Sequence, residues 1–247
     1  MGNMPCITLK NVRLGYKKPG TVLNVLRDIN IEFYPGDFVG VVGLNGTGKS
    51  TLLKTICGLL TPLGGEISID GTPISELALV ELAKKVAIVL TEKINGFNLT
   101  AYDAVASGQM PYTDSFNRLE AKNIEIIEKA IVASGINNHR SKLLNELSDG
   151  LFQKTMIAKA LAQQTQSVLL DEPSAFLDYA SKHELFLLLK HLCHNENKCV
   201  LVSCHDLDLL LKYCDNLLVL SEGTVELIKV SEALQNRQFM TIAGGYL

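Results

Sequence analysis

Apolar residues along this chain switch between two spacings, and each switch marks an element. Ile7-Thr8-Leu9-Lys10-Asn11-Val12 alternates with period two inside Pro5 to Tyr16, which predicts a strand. A second apolar stretch runs from Val22 to Phe33, and Pro35-Gly36 then turns the chain into Phe38-Val39-Gly40-Val41-Val42. That run has no polar face, so it suits a strand buried on both sides. Thr51 to Cys57 takes helical spacing and stops at Gly58, a capping residue. Ile67 to Ile74 carries the Asp70-Gly71 turn signal of a hairpin. Glu76 to Lys84 predicts a short helix, and Val86 to Leu90 another buried strand.

From about residue 92 to 163 the pattern is helical throughout. Thr100-Ala101-Tyr102-Asp103 predicts a capping box opening one helix. Phe116 to Ser134 predicts a longer one, with Ile124, Ile127 and Ile131 on one face and Gly135 as its stop. Strand–helix alternation then returns: Ser167–Asp171, a helix through Leu185–Leu189, Cys199–Ser203, a helix from Asp206, and Leu217–Leu220. Such alternation implies a parallel sheet covered by helices. The expected fold is an α/β core of about 1–91 and 164–247, with antiparallel strands at its N-terminal side. A helical subdomain of about 92–163 is inserted into it, and 1–247 form a single domain.

Composition narrows the class. The 247 residues are 47% hydrophobic and 20% charged, enough for one sizeable core. The net charge of −3 gives no basic field for nucleic acid. No apolar run approaches the ~20 residues of a membrane span, and no signal peptide or lipidation motif is visible, so membrane contact is expected only through a partner. The six cysteines form no C-x-x-C pair and suit reduced thiols. Cys193, His194, Cys199, Cys204 and His205 invite a zinc reading. However, Cys199 and Cys204 stand five strand steps apart, about 16 Å and on opposite faces, too far for one ion with bonds of about 2.3 Å.

Gly43-Leu44-Asn45-Gly46-Thr47-Gly48-Lys49-Ser50-Thr51 fits G-x-x-x-x-G-K-[ST] and lies between a predicted strand and helix. Glycines let backbone N–H groups turn onto phosphate oxygens, and the helix N-terminus adds partial positive charge. Lys49 is expected on the β and γ phosphates, and Ser50 on Mg2+. Val168-Leu169-Leu170-Asp171-Glu172-Pro173 is a buried strand ending in two acids at the edge where parallel sheets bind ligands. Asp171 suits the Mg2+ shell, and Glu172 a general base for the attacking water. In Leu147-Ser148-Asp149-Gly150-Leu151-Phe152-Gln153, Ser148 is an N-cap whose helix would offer a second anion cradle.

With these segments in order, the chain resembles the ATP-binding subunits of ABC transporters. Gly43 to Ser50 is similar to their Walker A motif, Val168 to Glu172 to Walker B, and Leu147 to Gln153 to the LSGGQ signature. Ser174-Ala175-Phe176-Leu177-Asp178 resembles the D-loop, and Ser203-Cys204-His205-Asp206 the switch-histidine segment. The resemblance implies that His205 contacts the γ-phosphate, that Tyr16 stacks on adenine, and that Ser148 and Gly150 grip the ATP of a second subunit in a homodimer.

Two departures stand out. Asp149 replaces the first signature glycine, and the Q-loop glutamine is missing, with Thr91-Glu92 in its place. A Thr91 hydroxyl is too short to span that gap without water, whereas a Glu92 carboxylate could reach Mg2+. Val105-Ala106-Ser107-Gly108-Gln109-Met110-Pro111-Tyr112-Thr113 resembles the ALGRxPY segment of ATPases serving iron–siderophore, haem and cobalamin importers, with Gln109 for the usual Arg. The implied function is ATP hydrolysis driving import through two integral membrane permease subunits, with a substrate-binding protein acting indirectly. That would place the chain peripherally at the cytoplasmic face of the cell membrane. Two alternatives stay open: a soluble, non-transport ABC ATPase, and an ATP-dependent dimer clasp with little hydrolysis.

Overall fold

The period-two segments pair into two sheets, and the structure, a computed structural model, describes residues 4–18, 20–91, 98–114, 118–221 and 223–244. In chain order the elements begin with β1 (Ile7–Lys18), β2 (Thr21–Phe33), β3 (Phe38–Val42), α1 (Lys49–Ile56), β4 (Gly64–Ile69) and β5 (Thr72–Pro73). They continue with α2 (Leu79–Ala83), β6 (Val86–Val89), α3 (Ala101–Ala106), α4 (Ala121–Ala133), α5 (Asp149–Ala162) and β7 (Ser167–Asp171). The last are α6 (Tyr179–His194), β8 (Cys199–Ser203), α7 (Leu207–Tyr213), β9 (Asn216–Ser221), β10 (Thr224–Lys229) and α8 (Arg237–Gly244).

One sheet is antiparallel, in the order β2-β1-β4-β5. The β4–β5 turn has φ of 48° at Asp70 and 78° at Gly71, the two positive values a tight hairpin of this hand requires. The other sheet runs β10-β9-β3-β8-β7-β6, parallel except for β10 at its edge. This is the mostly parallel α/β core expected, with the antiparallel β subdomain beside it.

The strands β3, β7 and β8 are buried at every position, because each face meets a different core. Val39, Val41, Leu169, Leu201 and Leu218 face α1 and the antiparallel sheet. Phe38, Val42, Val168, Leu170, Val200 and Val202 face Phe186 and Leu189 of α6 and Phe239 and Ile242 of α8. A smaller core of Val105, Ile127, Ile131, Ala158 and Ala162 joins α3, α4 and α5.

Two boundaries differ from expectation, and two elements are added to it. The helix expected from Phe116 begins at Ala121, where the Glu120 N–H is held by Asn123 Oδ1 at 2.8 Å; Phe116 lies outside the described residues. The Glu76–Lys84 helix contracts to α2. β10 and α8 were not anticipated: only Ile228 of β10 is buried, so that strand lacks a clear alternation. Gln109 also gains an explanation. Its buried amide donates to the Ala162 carbonyl and accepts Asn123 Nδ2 at 2.7 Å, tying the start of α4 to the end of α5.

Candidate nucleotide site

The phosphate loop leaves the carboxyl end of β3 and enters α1. Gly46 and Gly48 have φ of 81° and 106°, conformations that a side chain would strain. A Cβ at Gly48 would also come within 2.6 Å of Val25 Cγ1. Glycine is thus favoured at both positions by the left-handed main chain, and at Gly48 also by the lack of room for a side chain. Lys49 is 6% exposed, and its Nζ donates to the carbonyls of Gly43 at 2.6 Å and Leu44 at 3.3 Å. Burial pushes its ammonium below the ordinary lysine range, while the Glu172 and Asp171 charges pull it back up. Thr47 Oγ1 donates to the Leu44 carbonyl at 2.8 Å, closing the turn on itself. Tyr16 is 40% exposed on β1, and its hydroxyl lies 2.8 Å from Thr51 Oγ1, which pins the ring beside the first turn of α1.

Across the sheet, β7 delivers the acids. Asp171 is 5% exposed and pairs in register with Ser203 of β8. Ser203 Oγ donates to Asp171 Oδ1 at 2.8 Å and accepts the Glu172 N–H at 2.9 Å. The chain then bends at Glu172, whose φ is 50°. His205 Nε2 stands 2.6 Å from Glu172 Oε1. An ionised carboxylate only accepts, so Nε2 supplies the proton of that bond. Thr91, just past β6, donates its hydroxyl to the Asp171 carbonyl at 2.8 Å. Its side chain is thus engaged with the main chain of β7. Glu92 lies outside the described residues.

The signature and D-loop segments meet each other. Ser148 Oγ accepts the Leu151 N–H at 3.4 Å and caps α5, with Asp149 in the first turn. A Cβ on Gly150 would approach the Phe176 carbonyl to 3.1 Å, so a larger residue would press on the D-loop. Leu147 packs with Phe152, and Gln153 is buried. In the D-loop, Ser174 Oγ lies 3.2 Å from Cys204 Sγ, Leu177 enters the main core, and Asp178 caps α6. Hence Lys49, Asp171, Glu172 and His205 come together with Thr91 beside them, while Ser148, Gly150 and the D-loop form a second group.

Residues 26–175 match the family model described as ABC transporter. The chain belongs to that family. As an ABC ATPase it is 39% identical to an uncharacterized ABC transporter ATP-binding protein of Methanocaldococcus jannaschii, over 94% of this chain and 78% of that one. It is 32% identical to the ferric enterobactin transport ATP-binding protein of Escherichia coli, over 87% of this chain and 78% of that one. It also superposes on a solved dimeric ATP-binding cassette in a post-hydrolysis state with ADP and Pi. That match has a TM-score of 0.80 at 27% identity and covers 91% of this chain and 98% of the other. No helix of this ABC ATPase, among the described residues, is long and apolar enough to cross a membrane. The sequence names Ser203 at the end of a strand and in the switch-histidine segment, but not its bond to Asp171, since strand alternation does not say which side chain of β7 it faces.

Proposed function

We propose that this ABC ATPase drives an importer of metal chelates, with ferric siderophores as its substrate class. Two copies would close head to tail on two ATP molecules, and the pair would dock on two membrane permease subunits at the cytoplasmic face. The single observation that carries turnover, rather than a passive clasp, is the Glu172–His205 contact of 2.6 Å on the strand edge beside Lys49. Support for the substrate class comes from the 105–113 segment and from the ferric enterobactin relative.

In this reading the loop N–H groups and the α1 N-terminus hold the β and γ phosphates, with Lys49 adding full charge. Glu172 Oε1 takes the proton of the attacking water, and His205, fixed to the same carboxylate, orients it toward the γ-phosphate. Tyr16 offers its ring face to the base. Ser148 and Gly150 at the start of α5 would complete the partner's phosphate site. Ser50 and Asp171 fit Mg2+: both offer oxygen, and Ser203 occupies only one oxygen of the Asp171 carboxylate. Mg2+ supplies charge neutralisation across the phosphates when bound.

The test is uptake of a radioiron-labelled siderophore into proteoliposomes holding the permease pair and this subunit. Uptake should require ATP and fall to background with Glu172→Gln. A subunit that neither binds permeases in detergent nor supports uptake would overturn the importer reading.

A further inference from the structure

Ser203 is fully buried, at 0% exposure, and its single hydroxyl works in two directions. It gives its proton to Asp171 Oδ1 at 2.8 Å and receives the Glu172 N–H at 2.9 Å. The paired register of β7 and β8 ends at Asp171 and Ser203, so Glu172 lies one residue past it. The Ser203 side chain supplies the acceptor that its N–H uses there. Glu172 also holds a left-handed main chain, with φ of 50°. Such a conformation in a residue with a long side chain persists only where the surroundings fix it. From that turn the Glu172 carboxylate reaches His205, two residues beyond Ser203 on the same segment. On the other flank, Thr91 holds the Asp171 carbonyl at 2.8 Å. Asp171 is therefore restrained at its main chain and at Oδ1, which leaves Oδ2 for a ligand.

We propose that Ser203 is a positioning residue for both acids, presenting Asp171 Oδ2 toward Mg2+ and setting the turn that aims Glu172 at water. This rests on the reading of Asp171 as metal ligand and Glu172 as base. Because the Ser203 hydroxyl bonds to Asp171 and Glu172 and not to the phosphate loop or Tyr16, its loss should act on the rate and on the metal, not on nucleotide affinity.

The experiment uses the full-length protein. Ser203→Ala removes one oxygen and is compared with Ser167→Ala, an equally buried serine at the opposite end of β7. Ser203→Ala should lower kcat for phosphate release about 10- to 100-fold, the usual effect of losing a group that orients a metal ligand. KM for ATP should stay within about threefold, as expected when binding common to ground and transition state is untouched. In a Glu172→Gln background, where hydrolysis is absent, the Mg2+ concentration for half-maximal ATP-driven dimerisation should rise severalfold on adding Ser203→Ala. Size-exclusion chromatography reads this independently of turnover. Ser167→Ala should leave both readings unchanged. A smaller fall in kcat, an equal change in KM, an unchanged Mg2+ requirement, or the same losses in Ser167→Ala would overturn the proposal. Wild-type turnover in Asp171→Asn or Glu172→Gln would instead defeat the underlying site reading, so the two failures are distinguishable.

Discussion

Lys49 shows how much one residue is asked to do. Its ammonium sits almost wholly out of water, held by two loop carbonyls and by the field of Asp171 and Glu172. A buried charge of this kind is tolerated only where it is compensated. Lys49→Ala should lower phosphate release at least about 100-fold, on the scale of removing a preorganised electrostatic group. Wild-type turnover in that variant would contradict its role. The residue type and spacing were legible from the sequence, since glycine suits the loop geometry and the following helix supplies its dipole. The bond from Nε2 of His205 to Glu172 was not, because 33 residues of chain separate them and no local pattern encodes the meeting.

At the scale of elements, α6 illustrates a cap that also anchors the D-loop. Asp178 Oδ1 accepts the Ser181 N–H at 2.8 Å and Oδ2 accepts the Ser181 hydroxyl at 3.1 Å. These bonds favour the ionised form and hold the carboxyl below its ordinary value of 3.8. A depressed pKa gives stability that is complete above the unfolded value and is lost as pH falls through the folded one. Asp178→Ala should therefore melt below wild type at neutral pH, and the two melting curves should converge as pH drops below 3.8. Circular dichroism across that range checks this, and a gap that persists at low pH would show that capping by the ionised carboxylate is not the cause. Asp178→Asn should lose part of the stability, since its single oxygen can keep the bond from the Ser181 N–H while its NH2 group cannot accept the Ser181 hydroxyl.

For the whole molecule, the separation of two groups of residues matters more than any single contact. Lys49, Asp171, Glu172 and His205 gather on one sheet edge, while Ser148 caps α5 and Gly150, two residues on, packs against the D-loop. A second copy would bring the signature group of one chain to the phosphate loop of the other. Glu172→Gln keeps the proposed binding groups and removes the proposed base, so it should collect as a dimer when ATP and Mg2+ are present. Size-exclusion chromatography with and without nucleotide measures it. A monomer at high protein concentration with ATP would contradict the two-copy arrangement.

The sequence by itself determined what short-range chemistry can specify. The mostly apolar runs of β3, β7 and β8 call for burial on both faces, and Gly46 and Gly48 suit a loop that turns through left-handed conformations. The Asp70-Gly71 turn, the Ser148 cap and the order of the motifs are equally local, and they carried the fold class and the ATPase reading. Tertiary structure alone decided which strands lie side by side. The order β9-β3-β8-β7-β6 places Ser203 opposite Asp171 and sets Thr91 on the far flank of the same acid. Sheet neighbours are chosen by the packing of two cores against both faces at once, a property of the whole chain. For that reason the motif resemblance singles out the segments of Thr91 and Ser203, but the bonds by which they hold Asp171 and Glu172 are visible only once the strands are paired.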